Sequence, residues 1–342
     1  MRNDVLDITR METSEKKPNL FERVIEWVKH PEYFFWGALL LCASVLYNPS
    51  PSALREEKQA VAGGTAAFAY RDPYIDVTLE ARTAYVFDAK TGEALFERGA
   101  TTTNPLASIA KVMTAAVALS LVPETTLIPV TSDAIMEEGD SGLQVGEQLV
   151  LRDLVAFMLV KSSNDAARAI STAVGSYALG TEDENAGRAY FIWRMNERAK
   201  EWGLGDTSFR NESGLDISPV EGEPPTIPGA ISTAKDAARL LGYALEHHPS
   251  VFRLTRWSEL LVEDEGGATK TARNTNTETD KLPLLLASKT GFTDLAGGNL
   301  VIAFDAGFDH PVVVAVLGSS VDGRFTDVQA LVWATLDALG QK

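Results

Sequence analysis

The hydrophobic period of this chain changes twice, and that change limits the folds open to it. Ala81–Asp88 alternates as a strand does, Thr91-Gly92 supplies a turn, and Ala94–Arg98 returns as its hairpin partner. A helical block follows: alanine-rich Ala107–Leu121, then Leu151–Val174, then amphipathic Glu184–Trp202, then Thr233–Glu246 with Ser232 as its N-cap. Strand patterns come back at Leu284–Lys289, Asn299–Ala306 and Val312–Gly318, before a closing helix at Phe325–Leu339. Strands at both ends around a central helical block predict one α+β domain whose terminal strands meet in a single antiparallel sheet.

The 75 residues or so before that domain read differently. Residues 1–32 are polar and read as a cytoplasmic tail. Tyr33–Tyr47, YFFWGALLLCASVLY, carries no charge and has aromatic residues at both ends, as a membrane-interface belt does. The leader before it is too long for a secretory signal, so residues 33–48 are expected to form an uncleaved membrane anchor. Arg2, Arg10, Lys16, Lys17, Arg23 and Lys29 precede it, and only Arg55 and Lys58 follow closely. Positive-inside counting then leaves the N-terminus in the cytoplasm and the rest outside the cell membrane. Residues 49–74 read as a linker and 75–342 as the catalytic domain.

Composition removes several functions. A net charge of −16 argues against a nucleic-acid partner, which needs a basic face. Cys42 is the single cysteine, so neither an intramolecular disulfide nor a thiolate-rich metal site is available. Aspartates and glutamates at Asp133–Asp140 and Glu182–Glu184 lack spaced partners and read as solvated surface, so no metal and no cofactor is expected. Trp193 and Trp202 share one predicted helix and read as core.

Three short motifs carry the chemistry: Ser108-Ile-Ala-Lys111, Ser162-Ser-Asn164 and Lys289-Thr-Gly291. A serine hydroxyl needs a base within hydrogen-bond reach, and residues three apart on a helix share a face. Lys111 can serve if desolvation and a neighbouring cation such as Lys289 lower its pKa. The Ser108 backbone N–H, at a helix N-terminus, can bind a developing oxyanion. A serine–histidine pair is disfavoured, because His247 and His248 end a helix and His310 lies in a turn between strands. Ser14-Glu-Lys-Lys17, Ser232-Thr-Ala-Lys235 and Lys90-Thr-Gly92 repeat the same patterns. Order separates them: Ser14 precedes the apolar run, Ser232 reads as a cap and Lys90-Thr91-Gly92 as a hairpin turn. Only Ser108, Ser162 and Lys289 form an ordered trio.

With these motifs in their contexts, residues from about 75 to 339 resemble the low-molecular-mass penicillin-binding proteins that are serine-type D-Ala-D-Ala carboxypeptidases. The matching stretches are Asn104–Lys111, Val160–Ala167, Met195–Leu204 with Asn211–Asp216, Lys289–Thr293 with Ala296-Gly297 and Asn299-Leu300, and Gly318 with Arg324-Phe325 and Asp327. The resemblance implies a β-lactamase/transpeptidase-like fold, with Ser108 acylated and Lys111 as its base. It implies that Ser162 relays the proton to the leaving D-alanine and that Asn164 binds the substrate backbone. Lys289 would set the local potential, and Thr290 would bind the terminal carboxylate. Gly291 completes that motif. The Ser108 and Phe292 N–H groups would form the oxyanion hole, with Arg324 adding charge near the carboxylate. The partners implied are a peptidoglycan stem peptide ending in D-Ala-D-Ala and β-lactams as inhibitors. Ser163 stands where glycine or alanine is often found. Many members continue into a β-rich domain and a C-terminal anchor; here the N-terminal anchor is expected to replace that attachment.

Rivals share the fold. A β-lactamase needs a deacylating base, and Glu197, Glu201 and Glu212 are the carboxylates in the stretch where one is commonly found. An endopeptidase or transpeptidase acting on crosslinks, or a non-catalytic penicillin-binding sensor, would carry the same motifs.

Overall fold

The computed structural model describes residues 72–139 and 141–340, and a compact unit begins at Asp72. Its centre is a five-stranded antiparallel sheet built from β1 (Thr83–Asp88), β2 (Ala94–Arg98), β3 (Leu285–Thr293), β4 (Gly297–Asp305) and β5 (Pro311–Ser319). The spatial order is β3-β4-β5-β1-β2. The first strand therefore lies against the last, with Thr83 opposite Leu317 and Asp88 opposite Val312. The expected union of terminal strands is what the sheet shows.

β4 and β5 are nearly continuous apolar runs because both their faces are buried. Val312, Val314 and Val316 point to one side, towards Val328, Leu331 and Val332 of α6 (Gly323–Gly340). Val313, Ala315 and Leu317 point to the other, into the core shared with the helical block. That block holds α1 (Lys111–Leu121), α2 (Leu151–Lys161), α3 (Asn164–Leu179), α4 (Glu184–Glu201) and α5 (Ala234–His247). α1 packs against α2, α3, α4 and α5. It is buried all round from Lys111 to Leu119, and its alanines let those neighbours approach closely. Burying a side chain such as Leu331 or Val332 contributes about 1.5–3 kcal/mol.

Four expectations change. Ala107–Leu121 is not one α-helix, since Ala107–Ala110 is a 3₁₀ turn that leads into α1. Leu151–Val174 is broken at Ser162, whose left-handed backbone (φ 61°, ψ 32°) ends α2 before Ser163 caps α3. The cap of α5 is Thr233, which accepts from Asp236 N at 3.1 Å, while the Ser232 hydroxyl pairs with Thr207 at 2.7 Å. Trp193 is 50% exposed on the outer face of α4, so it does not belong to the core. Trp202 does pack against the core, beside Tyr243.

The Lys90-Thr91-Gly92 turn is as read. Asp88 Oδ1 accepts from the N–H groups of Lys90 (2.8 Å) and Thr91 (3.1 Å), and Gly92 takes φ 77°. Among the described residues no helix is long and apolar enough to cross a membrane. The expected tail, anchor and most of the linker lie outside the described residues.

Candidate active site

Ser108 sits in the 3₁₀ turn between a short strand, Thr103–Pro105, and α1. Ala107 enters that turn with φ 51°, an uncommon conformation for a residue other than glycine. Three residues per turn stacks position i+3 directly over i, so Lys111 rises over Ser108. Its Nζ lies 2.9 Å from Ser108 Oγ, 2.7 Å from Asn164 Oδ1 and 2.9 Å from the Ser213 carbonyl. Two of these three partners are carbonyl oxygens that only accept. A neutral Lys111 therefore spends its two hydrogens on Asn164 and Ser213 and turns its lone pair to the Ser108 hydroxyl.

Burial makes that neutral form accessible. Lys111 is fully buried, and desolvation lowers its pKa to about 7, against the opposing pull of Glu212 and Glu137. Lys289 is buried as well. It is held well below the usual lysine range by desolvation first, then by the charges of Lys111 and Arg324.

The left-handed Ser162 makes the second motif a corner between two helices. Ser163 faces inward and caps α3, accepting from Ala166 N at 3.0 Å. Its role is thus structural, and a hydroxyl in the middle of the motif has a reason. Asn164 is held from both ends, by Lys111 and by donating to the Glu138 carbonyl at 2.6 Å.

The third motif lies within β3, which is an edge strand of the sheet. Lys289 Nζ donates to Ser162 Oγ and to the Thr290 carbonyl, both at 2.8 Å. Thr290 Oγ1 is 2.6 Å from Thr275 Oγ1. Gly291 lets β3 approach the nucleophile turn, because a Cβ there would stand 3.0 Å from the Leu106 carbonyl and 3.3 Å from Ala107 Cβ. Its own carbonyl accepts from Arg324 Nη1 at 2.9 Å. Burial lowers the Arg324 pKa, and its Nε–H has no partner among the described residues. Phe292 is half exposed at the end of the motif. Eight of the nine candidate residues thus lie in two neighbouring clusters, one around Lys111 and one around Lys289, and Phe292 follows Gly291 at the exposed end of the third motif.

Several residues of this neighbourhood were given no role from sequence, although Asn299 and Ser213 lie in stretches that carry the family resemblance. Asn299 Nδ2 donates to the carbonyls of Pro105 (3.0 Å) and Leu106 (3.1 Å), while its Oδ1 accepts from Gly318 N at 2.8 Å. It ties the nucleophile turn to the sheet, and a buried asparagine inside an apolar strand was the signal. Ser213 lies in the matching stretch Asn211–Asp216, while Thr275 left no signal. The acidic run Asp133–Asp140 is not all solvated surface, since Asp133 and Glu137 pair with Arg168 at 2.8 and 3.2 Å.

The three glutamates named for a β-lactamase are engaged elsewhere. Glu197 pairs with Lys200, Glu201 with Arg194 and Arg198, and Glu212 with Arg188 and Arg168. His247 binds the Tyr243 carbonyl, and His310 pairs with Asp88 at the end of the sheet away from Ser108. Among the described residues no group of acids, histidines or cysteines could hold a metal ion.

Known proteins are similar to this chain in sequence and in fold. A family profile described as D-alanyl-D-alanine carboxypeptidase (Peptidase_S11) matches residues 67–321. The chain is 31% identical over 235 residues to a D-alanyl-D-alanine endopeptidase of Pseudomonas aeruginosa, covering 66% of this chain and 67% of that one. It is 28% identical over 281 residues to D-alanyl-D-alanine carboxypeptidase DacC of Escherichia coli, covering 78% and 63%. The match thus spans about two thirds or less of these relatives' own length. Among solved structures, the DD-transpeptidase of Streptomyces K15 superposes with a TM-score of 0.66 at 24% identity, over 75% of this chain and 97% of its own. Penicillin-binding protein D2 of Listeria monocytogenes, in a cefotaxime-bound form, gives a TM-score of 0.61 at 28% identity, over 78% and 99%. By its sequence, its sheet and its three motifs, this chain belongs to the serine-type D-alanyl-D-alanine carboxypeptidase family.

Proposed function

We propose that the chain removes the terminal D-alanine from peptidoglycan stem peptides through an acyl-enzyme on Ser108. One observation carries the reading: the buried Lys111 Nζ lies within 2.9 Å of Ser108 Oγ and of two acceptor-only oxygens, Asn164 Oδ1 and the Ser213 carbonyl, so that the neutral amine has its lone pair left for the Ser108 hydroxyl.

The substrate's extended end lies along the free edge of β3, as a peptide adds to a sheet edge. Its C-terminal carboxylate sits at the Thr290 hydroxyl, where the cations Lys289 and Arg324 and the unpartnered Arg324 Nε–H favour an anion. Lys111 takes the Ser108 proton as Oγ attacks the carbonyl carbon of the penultimate D-alanine. The N–H groups of Ser108 and Phe292 receive the oxyanion. When the C–N bond breaks, the Ser162 hydroxyl, held by Lys289, passes its proton to the departing amine and takes in its place the one that Lys111 carries, which leaves Lys111 neutral. Water then attacks the ester as Lys111, neutral again, takes its proton and hands it to the departing Ser108 Oγ, which restores the serine. A β-lactam enters by the same attack and acylates the same oxygen.

A second reading is D,D-endopeptidase activity on crosslinks, favoured by the endopeptidase named among the relatives. A β-lactamase is less well supported, because Glu197, Glu201 and Glu212 are all engaged by arginine or lysine rather than by Ser108. The apolar run at residues 33–48 supports a single N-terminal membrane anchor with the catalytic domain outside the cytoplasm.

Intact-mass spectrometry with benzylpenicillin, followed by a pentapeptide ending in D-Ala-D-Ala, tests the reading. A Ser108 adduct absent from Ser108→Ala, with D-alanine released from the peptide, is the expected result. Release only from crosslinked dimers would favour the endopeptidase. An adduct that clears within seconds without D-alanine release would mark a β-lactamase, and no adduct would sink the acyl-enzyme.

A further inference from the structure

Beneath Lys111 lies a buried charge cluster that the mechanism above does not use. The Glu212 side chain is only 2% exposed. Its carboxylate takes Arg188 through Nε at 3.0 and 3.1 Å and through Nη2 at 3.0 Å, a forked pairing that fixes its orientation. Arg168 Nη1 stands 3.5 Å away on the other side and also serves Asp133 and Glu137. The Glu212 backbone is fastened to α1, its carbonyl accepting from Thr114 Oγ1 at 2.7 Å. The next carbonyl along the chain, that of Ser213, is the one that Lys111 binds. Thr114 and Lys111 are three residues apart on one face of α1, so the Glu212–Ser213 peptide is laid along that face and held from behind by two arginines.

The charges around Lys111 come from six places. β3 contributes Lys289 and α6 contributes Arg324; both are basic side chains, and both lie in or beside the pocket. The segment before α2 brings Glu137 and Asp133, and α3 brings Arg168. α4 brings Arg188, and the loop after it brings Glu212. Glu212 is the most deeply buried of the carboxylates in this set. A buried acid beside a buried lysine stabilises the ammonium, and two guanidiniums behind that acid moderate its effect.

We propose that Glu212, clamped by Arg188, is a positioning residue for Lys111: it holds the Ser213 carbonyl against the amine and supplies the buried negative charge that balances Lys289 and Arg324 around it. This rests on the reading of Ser108 and Lys111 as nucleophile and base.

The sign of the effect separates this role from a merely structural one. Lys111 must be neutral to act, so the acid limb of the acylation profile reports its titration. Glu212→Gln removes a charge that favours the ammonium, so the limb moves to lower pH, by on the order of half a unit. Arg188→Gln removes the moderating cation, so the limb moves to higher pH. The double variant falls between the two. The experiment is the second-order rate of benzylpenicillin acylation of the full chain, followed by intact mass on both sides of neutrality, with thermal melting of each variant as a control. Opposite shifts support the proposal. Slower rates with unmoved limbs, or limbs that move the same way, overturn it and leave Glu212 a structural ion pair. If Glu212→Gln does not fold, Arg188→Gln decides alone, and an unmoved limb there is fatal. A wild-type chain that forms no adduct would instead refute the nucleophile assignment.

Discussion

Lys289 Nζ donates to Ser162 Oγ at 2.8 Å, joining the third motif to the second across 127 residues of chain. Lys111 meets Ser108 at 2.9 Å in the same way. The site therefore holds two lysine–serine pairs with buried lysines, and the charge of Lys111 helps to hold the Lys289 pKa down.

The Ser162 contact predicts the first variant. Ser162→Ala removes the hydroxyl proposed to carry the proton to the leaving amine and leaves Lys289 with the Thr290 carbonyl as its partner. Penicillin acylation and D-alanine release should both slow by about two orders of magnitude. Rates equal to wild type would take Ser162 out of the proton path.

The pH profile follows from Lys111. Its pKa is lowered to about 7, and the reactive form is the neutral amine. Acylation should be nearly independent of pH above that value and fall about tenfold per unit below it. A profile that rises towards low pH would identify a different base. The same depression carries a stability consequence. An unfolded Lys111 binds a proton that the folded one releases, so this residue's contribution to stability improves as pH rises from about 7 towards 10.5.

Asn299 is the strut between sheet and nucleophile. Asn299→Ala leaves two carbonyls and one N–H without the partners they have here, a cost of about 3 kcal/mol. Urea unfolding should show that loss, and acylation should slow because the Ser108 turn loosens. Lost stability with unchanged acylation would mean the turn is held by other contacts.

Gly214 takes φ 81° beneath the nucleophile turn, and a Cβ there would come within 2.0 Å of the Ala107 carbonyl. Gly214→Ala must push Ala107 away, at a cost of about 1–3 kcal/mol. Acylation is expected to fall further than stability, since the displaced atoms precede Ser108 directly. A variant as fast as wild type would show that the turn tolerates the shift.

Much of this molecule is legible one segment at a time. The alternation in Thr83–Asp88 and the apolar runs of β4 and β5 are local patterns, and so is the helical period of α1 and α4. The order of Ser108, Ser162 and Lys289 is also a linear fact, which is why a candidate nucleophile could be proposed before the fold. The failures share one cause. Helical periodicity runs straight through Ser162, because its left-handed turn is imposed by what α2 and α3 pack against. Nothing local distinguishes Trp193, on the outer face of α4, from Trp202, which packs against the core.

The sequence by itself determined the family, the trio and the meeting of the first strand with the last, since periodicity and motif order need no third dimension. Only the tertiary structure decided that Lys111 meets the Ser213 carbonyl, that Asn299 braces the nucleophile turn and that Glu212 is buried between two arginines. Those contacts join residues about a hundred or more positions apart or depend on burial. The hydrogen bonds and charge balance that make a lysine neutral exist only once the chain has excluded water from around it.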